Sequence, residues 1–128
     1  MPRFLNPTAV AAPSSQYSHG VEHRLDGRRL LISGQVGLRK DGTLAEGLEA
    51  QLAQCWDNLI EVLRAAGMDV GDLVKITIFV TVPNAIAVSR RLREQKLKGH
   101  APAATFLQVA GLARPEFLAE IEGEAVKE

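Results

Sequence analysis

The chain has 128 residues, 46% hydrophobic and 23% charged, with 15 basic against 15 acidic side chains. That is enough for one domain with a buried core and too little for two, and the balanced charge excludes a global pull towards nucleic acid or an anionic membrane. The single cysteine, Cys55, excludes an internal disulfide, and no apolar run reaches the length of a signal h-region or a membrane span, so a cytoplasmic protein without a membrane partner is expected.

The opening residues, 1–15, carry prolines at 2, 7 and 13 and read as an extended arm, with regular structure expected from about Tyr17. Residues 17–25 and 28–34 flank Asp26-Gly27, a dipeptide that supplies the positive φ of a tight turn, and are expected to pair as a hairpin. From Glu46 to Ala66, Leu48, Leu52, Cys55, Trp56, Leu59, Val62 and Leu63 recur at helical spacing. Glu49, Gln51, Gln54, Asp57, Asn58 and Glu61 take the other side, and Gly67 suits the C-terminal cap.

A β-branched run, residues 73–82, puts Val74, Ile76, Ile78, Val80 and Val82 on one face. A second helix is expected from an N-cap at Asn84 to Gly99, with a weak apolar stripe. Strands over 104–110 and 118–126 close the chain around a loop containing Arg114-Pro115. The order β-β-α-β-α-β-β gives an α+β mixed sheet in one domain spanning 1–128. Two helices cover only one face of such a sheet, and the other carries Phe79, so a homo-oligomer is expected to bury it.

Few residues offer chemistry by spacing alone. No nucleophile elbow, phosphate loop or cysteine pair occurs, and His19 and His23 on one strand would stand roughly 13 Å apart, too far to share a metal. No metal or cofactor is expected. Cys55 reads as a buried packing thiol. Arg90, Arg91, Arg93, Lys96, Lys98 and His100 form a basic cluster that can hold phosphate, but without aromatic neighbours for base stacking it reads as a solvated helix face. Glu120, Glu122 and Glu124 alternate on the last strand and share a face; a carboxylate there suits general acid/base work if a cleft desolvates it.

In order along the chain, Tyr17-Ser18, Ile32-Ser33-Gly34-Gln35, Asn58-Leu59, Ala65-Ala66-Gly67, residues 72–79, His100-Ala101-Pro102-Ala103 and Glu120-Ile121-Glu122 resemble the RidA (YjgF) family of reactive intermediate deaminases. The resemblance covers nearly the whole chain. It implies a chorismate-mutase-like fold, assembled as a homotrimer with three small-molecule clefts between subunits. In deaminating members an arginine just after the Pro-Ala of the fifth strand grips the substrate carboxylate, while a tyrosine and a glutamate arrange water attack on an imine or enamine. By position these last two are Tyr17 and Glu120.

The arginine position falls on Ala104, and a methyl group makes no charge-assisted bond to a carboxylate. The resemblance therefore implies a cleft with Tyr17 and Glu120 as catalytic groups and Ser33, Gly34, Ala104 and Thr105 as its lining. Ordinary 2-imino acid hydrolysis is not expected of it, and Arg90 or Arg114 is left as a cation from another direction. Three functions follow in order: a divergent imine or enamine hydrolase, a non-catalytic ligand-binding trimer, and the ribonuclease activity reflected in the name endoribonuclease L-PSP. The last rests only on the basic helix, and nucleic acid is not an expected partner.

Overall fold

The structure, a computed structural model, describes residues 2–128. In chain order its elements are β1 (Arg3–Leu5), β2 (Gly20–Glu22), β3 (Arg28–Val36), α1 (Leu48–Ala65), β4 (Leu73–Val80), α2 (Ile86–Leu97), β5 (Ala103–Gln108) and β6 (Ala119–Lys127). Four strands form the main sheet in the order β3-β6-β4-β5; β6 runs antiparallel to both its neighbours, and β5 runs parallel to β4. The parallel pair requires a crossover, which α2 supplies.

Along β4 buried and half-exposed residues alternate, as the β-branched run predicts: Val74, Ile76, Ile78 and Val80 face the core. Against that face α1 lays Leu52, Cys55, Trp56, Leu59 and Leu63, and α2 adds Leu92 and Leu97 beside it. Each such large apolar side chain contributes about 1.5–3 kcal/mol on burial. Gly67, at φ 70°, turns the chain out of α1 as expected. The opposite sheet face, with Leu31, Lys75, Phe79, Thr105 and Leu107, carries no helix.

The structure departs from the sequence expectations in four respects. Regular structure begins at Arg3, and the expected hairpin across Asp26-Gly27 does not form. Gly27 does take a positive φ of 102°, but β2 pairs with β1 in a separate ribbon, and β3 pairs with β6 instead. A turn dipeptide fixes a local bend; which strand β3 joins is decided by burial of Leu30 and Ile32 over α1. Asn84 does not cap α2: it takes a left-handed φ of 60°, and Ala85 precedes the first helical residue. Gln51, expected on the polar side of α1, is buried.

Candidate functional site

Tyr17 has its place fixed by its neighbours. Ser18, buried next to it, donates from Oγ to the Ala101 carbonyl at 2.6 Å and from its backbone N–H to the Pro102 carbonyl at 3.1 Å. Gln16 donates to the His100 carbonyl at 2.9 Å, and the His100 ring is itself 2.7 Å from the Leu73 carbonyl. The segment 16–18 is thus laid along the start of β5. Tyr17 there lines a cavity of about 230 Å³ with Ile86, Arg90, Arg93, Ala104 and Phe106.

Arg93 and Arg90 both line this cavity, and Arg93 is the buried one. The residue is only 5% exposed, its Nη2 donates to Ser15 Oγ at 2.8 Å, and its Nε has no partner. Among the described residues no carboxylate pairs with it. Desolvation lowers its pKa first and the adjacent Arg90 lowers it further, with Glu94 and Tyr17 pulling the other way. Arg90 itself donates to Ser14 Oγ at 3.2 Å.

Glu120 stands elsewhere in the same chain. In the pairing of β3 with β6, one extra residue is inserted between Ile32 and Gln35, a β-bulge that contains Ser33 and Gly34. A Cβ on Gly34 would lie 1.8 Å from Glu120 Oε2, so glycine is what leaves room for the carboxylate. Two side chains of α1 fix this end of the sheet. Asn58 donates to the carbonyls of Val36 and Leu38 at 3.0 and 2.9 Å, holding the end of β3. Gln51 donates to the Glu116 carbonyl at 3.2 Å and accepts from the Leu118 N–H at 2.8 Å, holding the approach to β6.

The residues singled out from the sequence therefore fall into separate groups within one chain. Tyr17, Arg90 and Ala104 share a cavity. Glu120 and Gly34 meet two strands away, at the β3–β6 edge, and Gly34 lines a broad groove with Val36, Arg39 and Asn58. Ser33 and Thr105 point to the uncovered sheet face, where Lys75 donates to Thr105 Oγ1 at 2.8 Å. Arg114 lies on the loop before β6, 5.1 Å over the Phe117 ring and 4.0 Å from Glu116, and does not line the Ala104 cavity.

Reading the basic cluster as a solvated helix face fails at Arg93. Arg91 pairs with Glu49 and Lys96 with Asp57, tying α2 to α1, while Arg93 turns inward. The signal was present in the sequence. Ala85, Ser89, Leu92, Arg93 and Leu97 follow helical spacing as one inward face, and an arginine on such a face seldom stays buried without a purpose. Cys55 behaves as a packing thiol, 3.7 Å from the Ala119 carbonyl, with its pKa pushed up to about 12 by desolvation and then by Glu120.

The family model described as Endoribonuclease L-PSP matches residues 8–127. Mouse 2-iminobutanoate/2-iminopropanoate deaminase is 34% identical over 127 residues, covering 98% of this chain and 91% of that protein. The deaminase of the same description from Salmonella typhimurium is 35% identical, covering 95% and 93%. Among solved structures, YyfB from Yersinia pestis, described as a Rid-family protein of unknown function, superposes with a TM-score of 0.89 at 38% identity over 98% of each chain.

Proposed function

The chain belongs to the endoribonuclease L-PSP family, also called RidA or YjgF, and from that premise we propose that it hydrolyses a small imine- or enamine-type metabolite in clefts between the subunits of a homotrimer. The observation that carries the reading is the separation of Tyr17 from Glu120 within one chain. Tyr17 and Ala104 line a cavity at the β5 edge, and Glu120 sits at the β3–β6 edge. A site using both needs the β5 edge of one copy against the β3–β6 edge of the next. The uncovered sheet face, with Leu31 63% exposed and Phe79 half-buried, gives such an assembly apolar surface to bury.

In this reading the Glu120 carboxylate takes a proton from water as the oxygen adds to the C=N carbon. The nitrogen is then protonated and leaves as ammonia, giving a carbonyl product. Tyr17 fixes the reacting group by its hydroxyl. Ala104 offers β5 no cation, so a 2-imino acid is not held in the pose an arginine there would impose. A misplacement of about 1 Å is worth roughly a hundredfold in rate.

A dehydratase-coupled assay for imine loss, run beside the Salmonella relative, tests the reading. Turnover of 2-iminobutanoate roughly a hundredfold below the relative is expected, and it should vanish in Glu120→Gln and Tyr17→Phe variants. Turnover unaffected by both substitutions would refute the assignment. The second reading, a binding-only trimer, is favoured by Ala104 and predicts ligand-induced stabilisation with no turnover of any imine.

A further inference from the structure

We infer that Arg93, assisted by Arg90, forms a built anion site in the Ala104 cavity, and that its ligand is a small organic carboxylate. The inference deepens the proposed function, because it assigns the ligand's charged group within that cleft.

Arg93 is a fixed cation without a counter-charge. Its guanidinium is almost wholly buried, yet its hydrogen bonding to protein consists of one neutral hydroxyl, Ser15 Oγ, and its Nε–H meets nothing. A buried cation without an anionic partner is costly, and the cost rises with Arg90 beside it. Even the solvent-exposed Arg29 and Arg91 have carboxylate partners, Glu124 and Glu49. Arg93 is not so paired among the described residues, although Glu94 follows it directly in the chain. An anion in the cavity would lie beside both guanidiniums and offset one of their two positive charges.

The walls select the kind of anion. Ile86, Ala104 and Phe106 present apolar surface beside the cation, and about 230 Å³ holds a few heavy atoms. A planar guanidinium fork meets a carboxylate edge to edge, through parallel N–H···O bonds, and the apolar wall takes a short hydrocarbon chain. The missing side chain at Ala104 makes that room: the cation has moved from β5 to α2, across the cavity.

The test uses the intact protein and needs no knowledge of its reaction. Thermal stabilisation and calorimetry are followed with 2-oxobutanoate, the carbonyl product expected from 2-iminobutanoate, then with neutral butanamide and with inorganic phosphate. The expected result is stabilisation by 2-oxobutanoate, none by butanamide and less by phosphate, since ligand binding to the native state raises its melting temperature. Arg93→Gln should weaken 2-oxobutanoate binding roughly tenfold or more, equivalent to about 1.4 kcal/mol per tenfold, and Arg90→Gln by less. Ala104→Glu places a carboxylate in the cavity without removing either arginine; it should block 2-oxobutanoate and raise the melting temperature.

Equal binding of 2-oxobutanoate to wild type and Arg93→Gln would overturn the anion site and leave the shared cleft standing. So would stabilisation by phosphate alone, or by butanamide as strongly as by 2-oxobutanoate. Carboxylate binding lost in Arg93→Gln but with no imine turnover in the wild type would support the anion site and refute only the hydrolase reading.

Discussion

At the β3–β6 edge, Glu120 is held by strands whose ends are tied to α1 through Gln51 and Asn58, with every one of those bonds reaching a backbone group of the site's own strands or loop. At the β5 edge, Tyr17 and the two arginines are arranged by the segment 14–18, held to the fold by serine hydroxyls and by two bonds from Ser18. The first region is continuous with the hydrophobic core. The second rests on the core through α2 and β5, with the segment 14–18 laid over it. Core continuity makes the carboxylate's position a property of the fold, whereas the overlaid segment makes the cationic cavity a feature that changes without unfolding the sheet.

The largest loss of stability is expected from Gln51→Leu. It leaves the Glu116 carbonyl and the Leu118 N–H without a partner and should cost about 2–4 kcal/mol, with a fall in melting temperature on the order of 10 °C. Calorimetry at fixed protomer concentration measures it. A loss below about 0.5 kcal/mol would mean that the β3–β6 edge is not secured by α1.

A second measurement uses Cys55 beneath that edge. Its folded pKa is raised from 9.0 to about 12, so the folded state keeps its proton where the unfolded state has lost it. The stability this contributes is full below about pH 9 and is lost progressively as pH rises towards 12, by roughly 1.4 kcal/mol per pH unit. Urea midpoints of wild type and Cys55→Ala between pH 8 and 10.5 should diverge in that direction. The folded thiol should also resist a thiol reagent until the protein unfolds.

At the overlaid edge, Ser18→Ala removes one short buried hydrogen bond and should cost about 1–2 kcal/mol. Hydrogen exchange should quicken around residues 16–18 and 100–103, leaving β3 and β6 protected. Uniform acceleration through the whole sheet would erase the distinction between the two regions. The smallest stability effect expected is that of Gly34→Ala, under about 1 kcal/mol, because the atom its Cβ would meet first is the end of a flexible side chain. Its consequence is positional: Glu120 must swing away, and any turnover that depends on its carboxylate should fall while the melting profile stays.

Much of the framework was legible in the sequence, since α1 and β4 announce themselves by helical and alternating apolar spacing. The pairing of β3 was not, because Asp26-Gly27 reports a bend and says nothing of which strand lies beside it. Tyr17, Ala104 and Glu120 were singled out by resemblance alone; Tyr17 and Ala104 line one cavity with Arg90, and Glu120 does not. The helical spacing of Arg93 with Ser89 and Leu97 marks an inward face, but its basic neighbours in the same run mask that signal until the helix is seated. Sequence lists charges in a row; burial sorts them, and here one guanidinium of six clustered basic residues falls on the inward face with Ser89 and Leu97.

The central claim, that two edges of different copies complete one site, is tested most directly by the crystal structure of the assembled protein with 2-oxobutanoate. A trimer is expected in which the carboxylate rests on Arg93 of one copy, while Glu120 of the neighbouring copy faces the ligand's carbonyl carbon. A monomer, or an assembly in which Glu120 and Tyr17 open into separate compartments that no single small molecule can bridge, would contradict it.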